Sequence, residues 1–238
     1  MEKKILHIDV NNAFLSWTAV DRLKKGETLD LRTVPAIVGG DEEKRRGIVV
    51  AKSNVAKKFG IQTAEPIYMA RKKCPSVIIV PGDHEIYKMY SNKLYKLFLE
   101  YTEKVERFSI DECFLDLTEY LKPGEDLIKT GIEIKERIKK EFGFTVNVGV
   151  SDDKILAKMA SDFEKPDKIH TLFKSEIEEK LWKLPINEMF LVGKKSVPKL
   201  NRMGIKTIGD LAKADKAVII KNFGKYGYTI WKYANRWK

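Results

Sequence analysis

Residues 104–117 read KVERFSIDECFLDL, two runs rich in β-forming residues with an acidic stretch between them. This pattern predicts a β-hairpin with strands at 104–109 and 113–117, and with Ile110, Asp111 and Glu112 at its bend. A two-stranded hairpin is only marginally stable by itself, so it must belong to a larger sheet. The elements on either side of it indicate which sheet that is.

The hairpin is flanked by two predicted helices and two predicted strands. Residues 83–101 and 125–142 carry apolar side chains at helical spacing, whereas 5–10 and 145–150 are short apolar runs typical of buried strands. If residues 13–82 are set aside as an insertion, the order is β-α-β-β-α-β, which is ferredoxin-like. This predicts an α+β fold in which the first strand lies beside the hairpin in one antiparallel sheet.

The insertion and the C-terminal third differ in character. The insertion alternates helices with strands, which predicts an α/β unit; its elements are a helix at 14–23, strands at 35–38 and 47–51, a helix at 53–59 and a helix that ends before Cys74. After residue 166, short helical stretches separated by glycines predict an all-helical domain; they are 175–184, 195–203, 207–214 and 226–237.

Composition narrows the class of protein. Apolar residues make up 43% of the 238, which is enough for a core, and the net charge is 45 − 34 = +11. Such a charge favours a polyanionic partner: nucleic acid, a phosphorylated substrate or an anionic membrane. Cys74 and Cys113 form no CxxC pair, which argues against a disulfide framework or a zinc site and favours the cytoplasm. The apolar stretch near the N-terminus is too short for a signal peptide or a membrane span.

Three carboxylates meet in the predicted sheet. Asp9 ends the first strand, and Asp111 and Glu112 lie at the hairpin bend, 111 − 9 = 102 positions further along. Gathered carboxylates repel one another and need a cation, and hard oxygen ligands suit Mg²⁺ or Mn²⁺. Two such ions about 4 Å apart can promote a phosphoryl displacement. The alternative is that each acid is a solvated turn residue; Asp116, also in the hairpin, is expected to be structural.

At this point the residues resemble those of the Y-family (translesion) DNA polymerases, the group that includes bacterial DNA polymerases IV and V. The similarity runs in the family's order over about residues 5–235. The stretches that carry it are Ser109–Asp116, His7–Val10 followed by Phe14, Val49–Ala51, Ala56–Ile61, Val148–Ser151, Lys154, Leu156–Lys158 and Lys165–Pro166.

The resemblance implies a right-hand polymerase. The palm would be 1–12 and 83–172, the fingers 13–82, and the thumb 173–238. By this comparison the sequence is expected to lack the family's little finger and clamp-binding tail, and contact with a sliding clamp would need that C-terminal region. Template-directed synthesis by a low-fidelity enzyme of DNA repair and the SOS response would follow, with primer–template DNA and a dNTP as partners and a monomer as the expected state.

By resemblance, Asp9, Asp111, Glu112 and the carbonyl of Val10 would bind two Mg²⁺ ions, or Mn²⁺ ions in their place. Phe14 would be the steric gate, whose ring excludes a ribose 2′-hydroxyl. The alternative for Phe14 is a core aromatic on a short helix.

The triphosphate would be bound by a further set of residues: Asn12, Ala13, Asn54, Lys57 and Lys165. Several of these depart from the family. Asn54 and Lys57 stand where many members have tyrosine and arginine, and a lysine cannot form arginine's bidentate fork. Ala13 replaces a frequent aromatic, and Asn11 a frequent aspartate. For either lysine, the alternative is an ordinary surface charge, and the polymerase IV or V subtype stays open.

The helical domain resembles the family's helix-hairpin-helix. Gly193, Lys194 and Lys195, with Lys225 in a second glycine turn, would contact DNA phosphates without reading sequence. The alternative is a helix that simply ends at glycine. Two other functions remain open, a nucleotide cyclase and a catalytically inactive DNA-binding relative.

Overall fold

The protein is described by a computed structural model that covers residues 2–40, 47–122 and 124–235. The strands are β1 (Ile5–Val10), β2 (Ala36–Gly39), β3 (Val49–Lys52), β4 (Ile78–Pro81), β5 (Val105–Arg107), β6 (Glu112–Asp116), β7 (Val146–Ser151) and β8 (Ile169–Thr171). The helices are α1 (Ala13–Lys24), α2 (Asn54–Lys58), α3 (Ile67–Lys73), α4 (His84–Leu99), α5 (Leu127–Phe142), α6 (Lys154–Ser161), α7 (Val197–Arg202), α8 (Ile208–Lys213) and α9 (Lys216–Ala234).

The large sheet has the strand order β5-β6-β1-β7-β8, and β1 is antiparallel to both of its neighbours. This is the ferredoxin-like order with one strand added at the edge, so the predicted fold class is confirmed. Every residue of β1 is buried, because helices cover both faces of the sheet. Helices α4 and α5 pack on one face around a core that includes Leu6, Ile8 and Val148.

Helix α6 lies against the other face, and Gly149 allows it to come close. A Cβ at this position would lie 1.8 Å from the carbonyl oxygen of Ala157 in α6. Only glycine can therefore occupy this point of β7 while the helix backbone rests on it. The polar and small residues Asn147, Gly149 and Ser151 alternate with buried valines along the strand, as the two-residue period of a strand requires.

The inserted unit contains a second sheet with the order β3-β2-β4. Helix α1 packs against both sheets: Trp17 joins the core of the large sheet, and Leu15 packs with residues of the small one. Strands β4 and β8 were not predicted. Each is only three or four residues long and half-buried, so no clear periodicity reveals it.

The helical region after β8 differs from its prediction in two places. The stretch predicted to be helical at 175–184 is helical over part of its length but is not an α-helix: the chain forms a short 3₁₀ turn at Lys174–Glu176 and a π-helical turn at Ile177–Leu181. Helix α9 consists of two helices that meet at a kink at Gly224, where φ is 60° and ψ is −142°. The second of them agrees with the helix predicted from residue 226, and the predicted end at Trp237 lies outside the described residues. The first, which begins at Lys216, was not predicted, because the β-branched run at 218–220 concealed it. Within the described ranges, no helix is both long and apolar enough to cross a membrane.

Candidate active site

The sheet register brings the predicted acids together. Asp9 at the end of β1 pairs with Glu112 at the start of β6, and the Val10 N–H donates to the Asp111 carbonyl oxygen at 3.1 Å. Paired residues on neighbouring strands point to the same face, so the first strand and the hairpin present carboxylates at one edge. Glu112 is thus the first residue of β6 rather than part of the bend.

Two lysines bond these carboxylates. Lys165 bonds Asp9 and also Asp162, the latter at 2.8 Å, while Lys158 on α6 bonds Glu112. The Ser109 hydroxyl donates to Asp111 at 2.6 Å. Lys158 belongs to a stretch that carries the family resemblance, and its contact with Glu112 places it at the acidic edge.

Burial raises the pKa of Asp9 to about 6; the bonded Lys165 opposes this rise, and the neighbouring Glu112 and Asp111 add to it. Burial alone would lower the pKa of Lys165, but its contacts with Asp9 and Asp162 hold that pKa above its usual value. The edge of the sheet therefore gathers carboxylates whose negative charge is offset by the two lysines.

The donor set fits a hard divalent ion, since it consists of carboxylate oxygens. Yet in the part of the chain that the structure describes, no three acidic, histidine or cysteine side chains converge closely enough to surround one ion. One carboxylate oxygen of Asp9 and one of Glu112 contact ammonium groups instead.

A cleft of about 360 Å³ opens between this edge and the small sheet. Its lining includes every residue that was predicted to bind the triphosphate, together with four others of the predicted site, Asp9, Val10, Phe14 and Asp111. It also includes residues that the sequence did not single out for this role: Asn11, Val50, Ala51, Lys52, Ser53, Thr63 and Pro166.

Phe14 is half-buried at the inner side of the cleft. Its ring stacks on Tyr87 with centroids 4.5 Å apart and meets the edge of Trp17 at 6.2 Å. The ring therefore packs on the core and lines the cleft at the same time, and these contacts hold it in one place. A ring held in this way can exclude a substituent by overlap.

Asn12 and Asn54 bond each other across the cleft. Asn12 has φ 48° and ψ 48°, a left-handed conformation that asparagine tolerates, and its Nδ2 donates to the Asn54 Oδ1 at 3.3 Å. This contact links the start of α1 to the start of α2. The two residues thus form part of the cleft wall.

Lys52 and Lys57 place two positive charges in the cleft. The Lys52 Nζ donates to the Thr63 hydroxyl at 3.0 Å, and its pKa is lowered by burial and by the charge of Lys57. Among the described residues, neither lysine forms an ion pair with an acid, and the nearby Glu65, which opposes the lowering of the Lys52 pKa, is itself paired with Lys73. Two neighbouring ammonium groups in this arrangement are suited to bind an anion. Lys52 follows Val50 by two positions on β3, so the strand period alone could have placed it on the same face.

The predicted DNA-binding residues lie together in the helical region. Gly193, Lys194, Lys195 and Lys225 are all exposed. Two contacts tie their glycine turns to each other: the Tyr226 hydroxyl donates to the Leu191 carbonyl oxygen at 3.0 Å, and Lys199 bonds the carbonyl of Asn222. The two turns therefore present one basic surface.

A family model described as the impB/mucB/samB family matches residues 8–162, which include the whole acidic edge. The chain belongs to this family. A second model, the IMS family HHH motif, matches residues 174–205 of this family member.

Curated relatives of this family member are named DNA polymerase IV. The chain is 52% identical to that of Clostridium acetobutylicum over 235 residues, 99% of the chain and 59% of the relative. It is 41% identical to that of Acetivibrio thermocellus, with 99% and 57% covered, and 35% identical to that of Escherichia coli O157:H7, with 97% and 64% covered. The chain thus spans less than two thirds of the length of these relatives.

Solved structures give the same family. A crystal structure of DinB from Sulfolobus solfataricus superposes with a TM-score of 0.85 at 28% identity, covering 98% of this chain and 67% of that one. An insertion ternary complex of Dbh DNA polymerase gives 0.84 at 29% identity, covering 99% and 68%. The right-hand architecture expected from the sequence is therefore confirmed, with its palm, fingers and helical thumb.

Proposed function

We propose that this chain is the catalytic core of a translesion DNA polymerase, which transfers a deoxynucleoside monophosphate to a primer 3′-hydroxyl and releases pyrophosphate. The observation that carries the proposal is the cleft, because one wall holds Asp9 and Asp111 and the same space contains Lys52, Lys57 and Lys165. Acids opposite lysines in one cleft suit a metal–triphosphate substrate. The names of the relatives support the same reaction.

Asp9, Asp111, Glu112 and the Val10 carbonyl would hold two Mg²⁺ ions, or Mn²⁺ in their place. Such ions, when bound, lower the pKa of an attacking hydroxyl and offset charge on the leaving oxygen. Lys165 would turn from Asp9 toward the phosphates.

On the opposite wall, Lys57, Lys52 and Asn54 would bind the phosphates together with the Asn12–Ala13 segment. Lysines at this position offset the charge that develops as pyrophosphate leaves. The ring of Phe14 would exclude a 2′-hydroxyl and so select deoxynucleotides.

The helical region would hold the duplex. Gly193, Lys194, Lys195 and Lys225 would contact phosphates, which gives affinity without sequence preference. The proposed partners are a dNTP, primer–template DNA and a sliding clamp, the last reached through a region outside this sequence. We expect a monomer in the cytoplasm, a location that the free Cys74 and Cys113 favour.

Primer extension at low salt tests the function. The wild-type chain should extend a primer with dNTPs and not with rNTPs, and Asp111→Ala combined with Glu112→Ala should reduce extension at least about 100-fold. Phe14→Val should admit rNTPs. The matched control is Asp116→Asn, since Asp116 lies in the same strand and bonds Thr118 instead of facing the cleft. Equal extension by the control and by the double variant would refute the metal-binding role.

A further inference from the structure

Two buried asparagines stand next to Asp9 and belong to no predicted set of ligands. Asn147 on β7 pairs with Asp9 in the sheet register and is fully buried, and Asn11 follows Asp9 by two positions and is 6% exposed. Both therefore lie on the same face as Asp9. The Asn11 Nδ2 donates to the Asn147 Oδ1 at 3.0 Å, so the two amides form one unit.

The unit is bonded to the backbone of the segment that carries Lys165. The Asn147 Nδ2 donates to the carbonyl oxygens of Ser161 at 3.0 Å and Glu164 at 2.6 Å, and its Oδ1 accepts from the Lys168 N–H at 3.3 Å. The Asn11 Oδ1 accepts from the Asp167 N–H at 2.9 Å. Residues 162–168, hereafter the Lys165 loop, are thus held at both ends.

Every polar atom of the Asn147 amide is used, and so are both lone pairs of the Asn11 oxygen, since the Thr145 hydroxyl also donates to it at 2.9 Å. Neither amide can rotate by half a turn without placing oxygen against carbonyl oxygen or N–H against N–H. Such a buried and satisfied network has one geometry, which makes it a suitable device for holding a loop in place.

We propose that Asn11 and Asn147 are positioning residues: they hold the backbone of the Lys165 loop so that Lys165 can reach the phosphates of the nucleotide. The inference rests on the proposed function, because it assigns this pair of asparagines, hereafter the clamp, a role in triphosphate binding. It also explains a departure from the family: an aspartate at position 11 would have no hydrogen to donate to Asn147. In this chain the amide of Asn11 supplies the hydrogen that the Asn147 oxygen accepts.

The test compares Asn147→Leu, which removes the clamp without changing charge, with wild type. The KM for a dNTP should rise at least about fivefold, as expected when buried carbonyls lose their donors, with a smaller change in kcat. Amide hydrogen exchange in the peptide covering 161–168 should accelerate. In a Lys165→Ala background, Asn147→Leu should have almost no further effect on KM, because it acts through that lysine.

Ser151→Ala is the matched control. Ser151 lies on the same strand, is fully buried, and donates to the Leu172 carbonyl oxygen at 2.6 Å, which is outside the Lys165 loop. It should leave exchange at 161–168 and the KM unchanged. If Asn147→Leu fails to fold by circular dichroism, Asn11→Asp tests the same bond.

The outcomes separate the two proposals. A folded clamp variant with wild-type KM and wild-type exchange would overturn the clamp while the polymerase function stands. Additive effects of Asn147→Leu and Lys165→Ala on KM would also overturn it. A wild-type chain that extends no primer would refute the proposed function. Exchange at 161–168 would then still decide whether the clamp holds the loop.

Discussion

The two walls of the cleft are built differently. On the palm wall, Lys165 is bonded to Asp9 and its loop is held by Asn11 and Asn147, while Asp167 is bonded by Lys135 and Lys139 at 2.8 and 2.7 Å. On the fingers wall, Lys52 has one hydroxyl partner at Thr63, and Lys57 lies exposed on a five-residue helix. The backbone of the palm wall is therefore held in place, whereas the two fingers lysines have fewer contacts among the residues that the structure describes.

This difference separates two tasks that a nucleotide site must perform. On the palm wall, only the side chain of Lys165 would have to turn from Asp9 toward the phosphates, because the backbone of its loop is already held. Its charge can therefore act in the transition state with little reorganisation. A loosely held cation contributes mainly to binding, because it attracts the substrate and its transition state about equally. We therefore expect the palm lysine to affect both kcat and KM, and the fingers lysines to affect mainly KM.

Removal of the palm lysine is expected to have the largest effect. Lys165→Ala should lower kcat/KM about 100-fold, the scale for loss of a fixed donor to developing charge. Steady-state single-nucleotide insertion measures it. Lys168→Ala is the control, since Lys168 belongs to the same loop but is exposed and pairs with Glu164 at 3.6 Å. Equal losses of kcat/KM in the two variants would contradict the proposed contact of Lys165 with the phosphates.

Substitutions on the fingers wall should have a smaller and different effect. Lys52→Ala and Lys57→Ala should each raise the KM for a dNTP about tenfold, as loss of one charge-assisted contact predicts, with kcat nearly unchanged. The same insertion assay over a range of dNTP concentrations separates the two constants. Lys58→Ala serves as control, because Lys58 adjoins Lys57 but does not line the cleft. A fall in kcat for Lys52→Ala would contradict this expectation, because it would show that Lys52 also acts in the transition state.

The smallest effect is expected at Asp167, which belongs to the Lys165 loop of the palm wall. Burial alone would raise the pKa of Asp167, but the bonds from Lys135 and Lys139 outweigh it and hold that pKa below its ordinary value of 3.8. The folded state therefore gains stability above pH 3.8, and this gain is lost as the pH falls through the lowered pKa.

Asp167→Asn should accordingly reduce the free energy of unfolding at pH 7 by less than about 1 kcal/mol, as for a partly exposed ion pair. The difference in the free energy of unfolding between the wild type and Asp167→Asn should narrow below pH 3.8. Urea unfolding at several pH values measures it. Glu119→Gln removes an exposed ion pair with Lys104 far from the loop and is the control for a general charge effect. A difference that grows on acidification would contradict the assigned direction.

Much of the fold could be predicted from the sequence, because long elements carry a clear period. Helices α4 and α5 and strands β1, β6 and β7 follow from their apolar spacing, and their order alone placed Asp9 beside the hairpin. Strands β4 and β8 are too short for a period to show. The first turns of α9 contain a β-branched run whose local preference opposes the helix that packing imposes.

The site was predictable only in part, for a similar reason. Residues on motifs with a fixed spacing, such as Asp9 and Asp111, could be named in advance. The role of Asn147 could not, since it bonds Asn11 across 136 positions, and a single sequence contains no signal for such a pair. Asn11 was visible only as a departure from the family, and its meaning depends on the partner that the fold provides.

Gly149 has a consequence for how this chain tolerates variation. The backbone of α6 rests on this residue, and α6 both carries Lys158 and leads directly into the Lys165 loop. One added methyl group would push the helix away from the sheet and displace both lysines together. In a saturation library across β7, alanine at position 149 should therefore be depleted as strongly as substitutions of the acids themselves, although it touches no substrate.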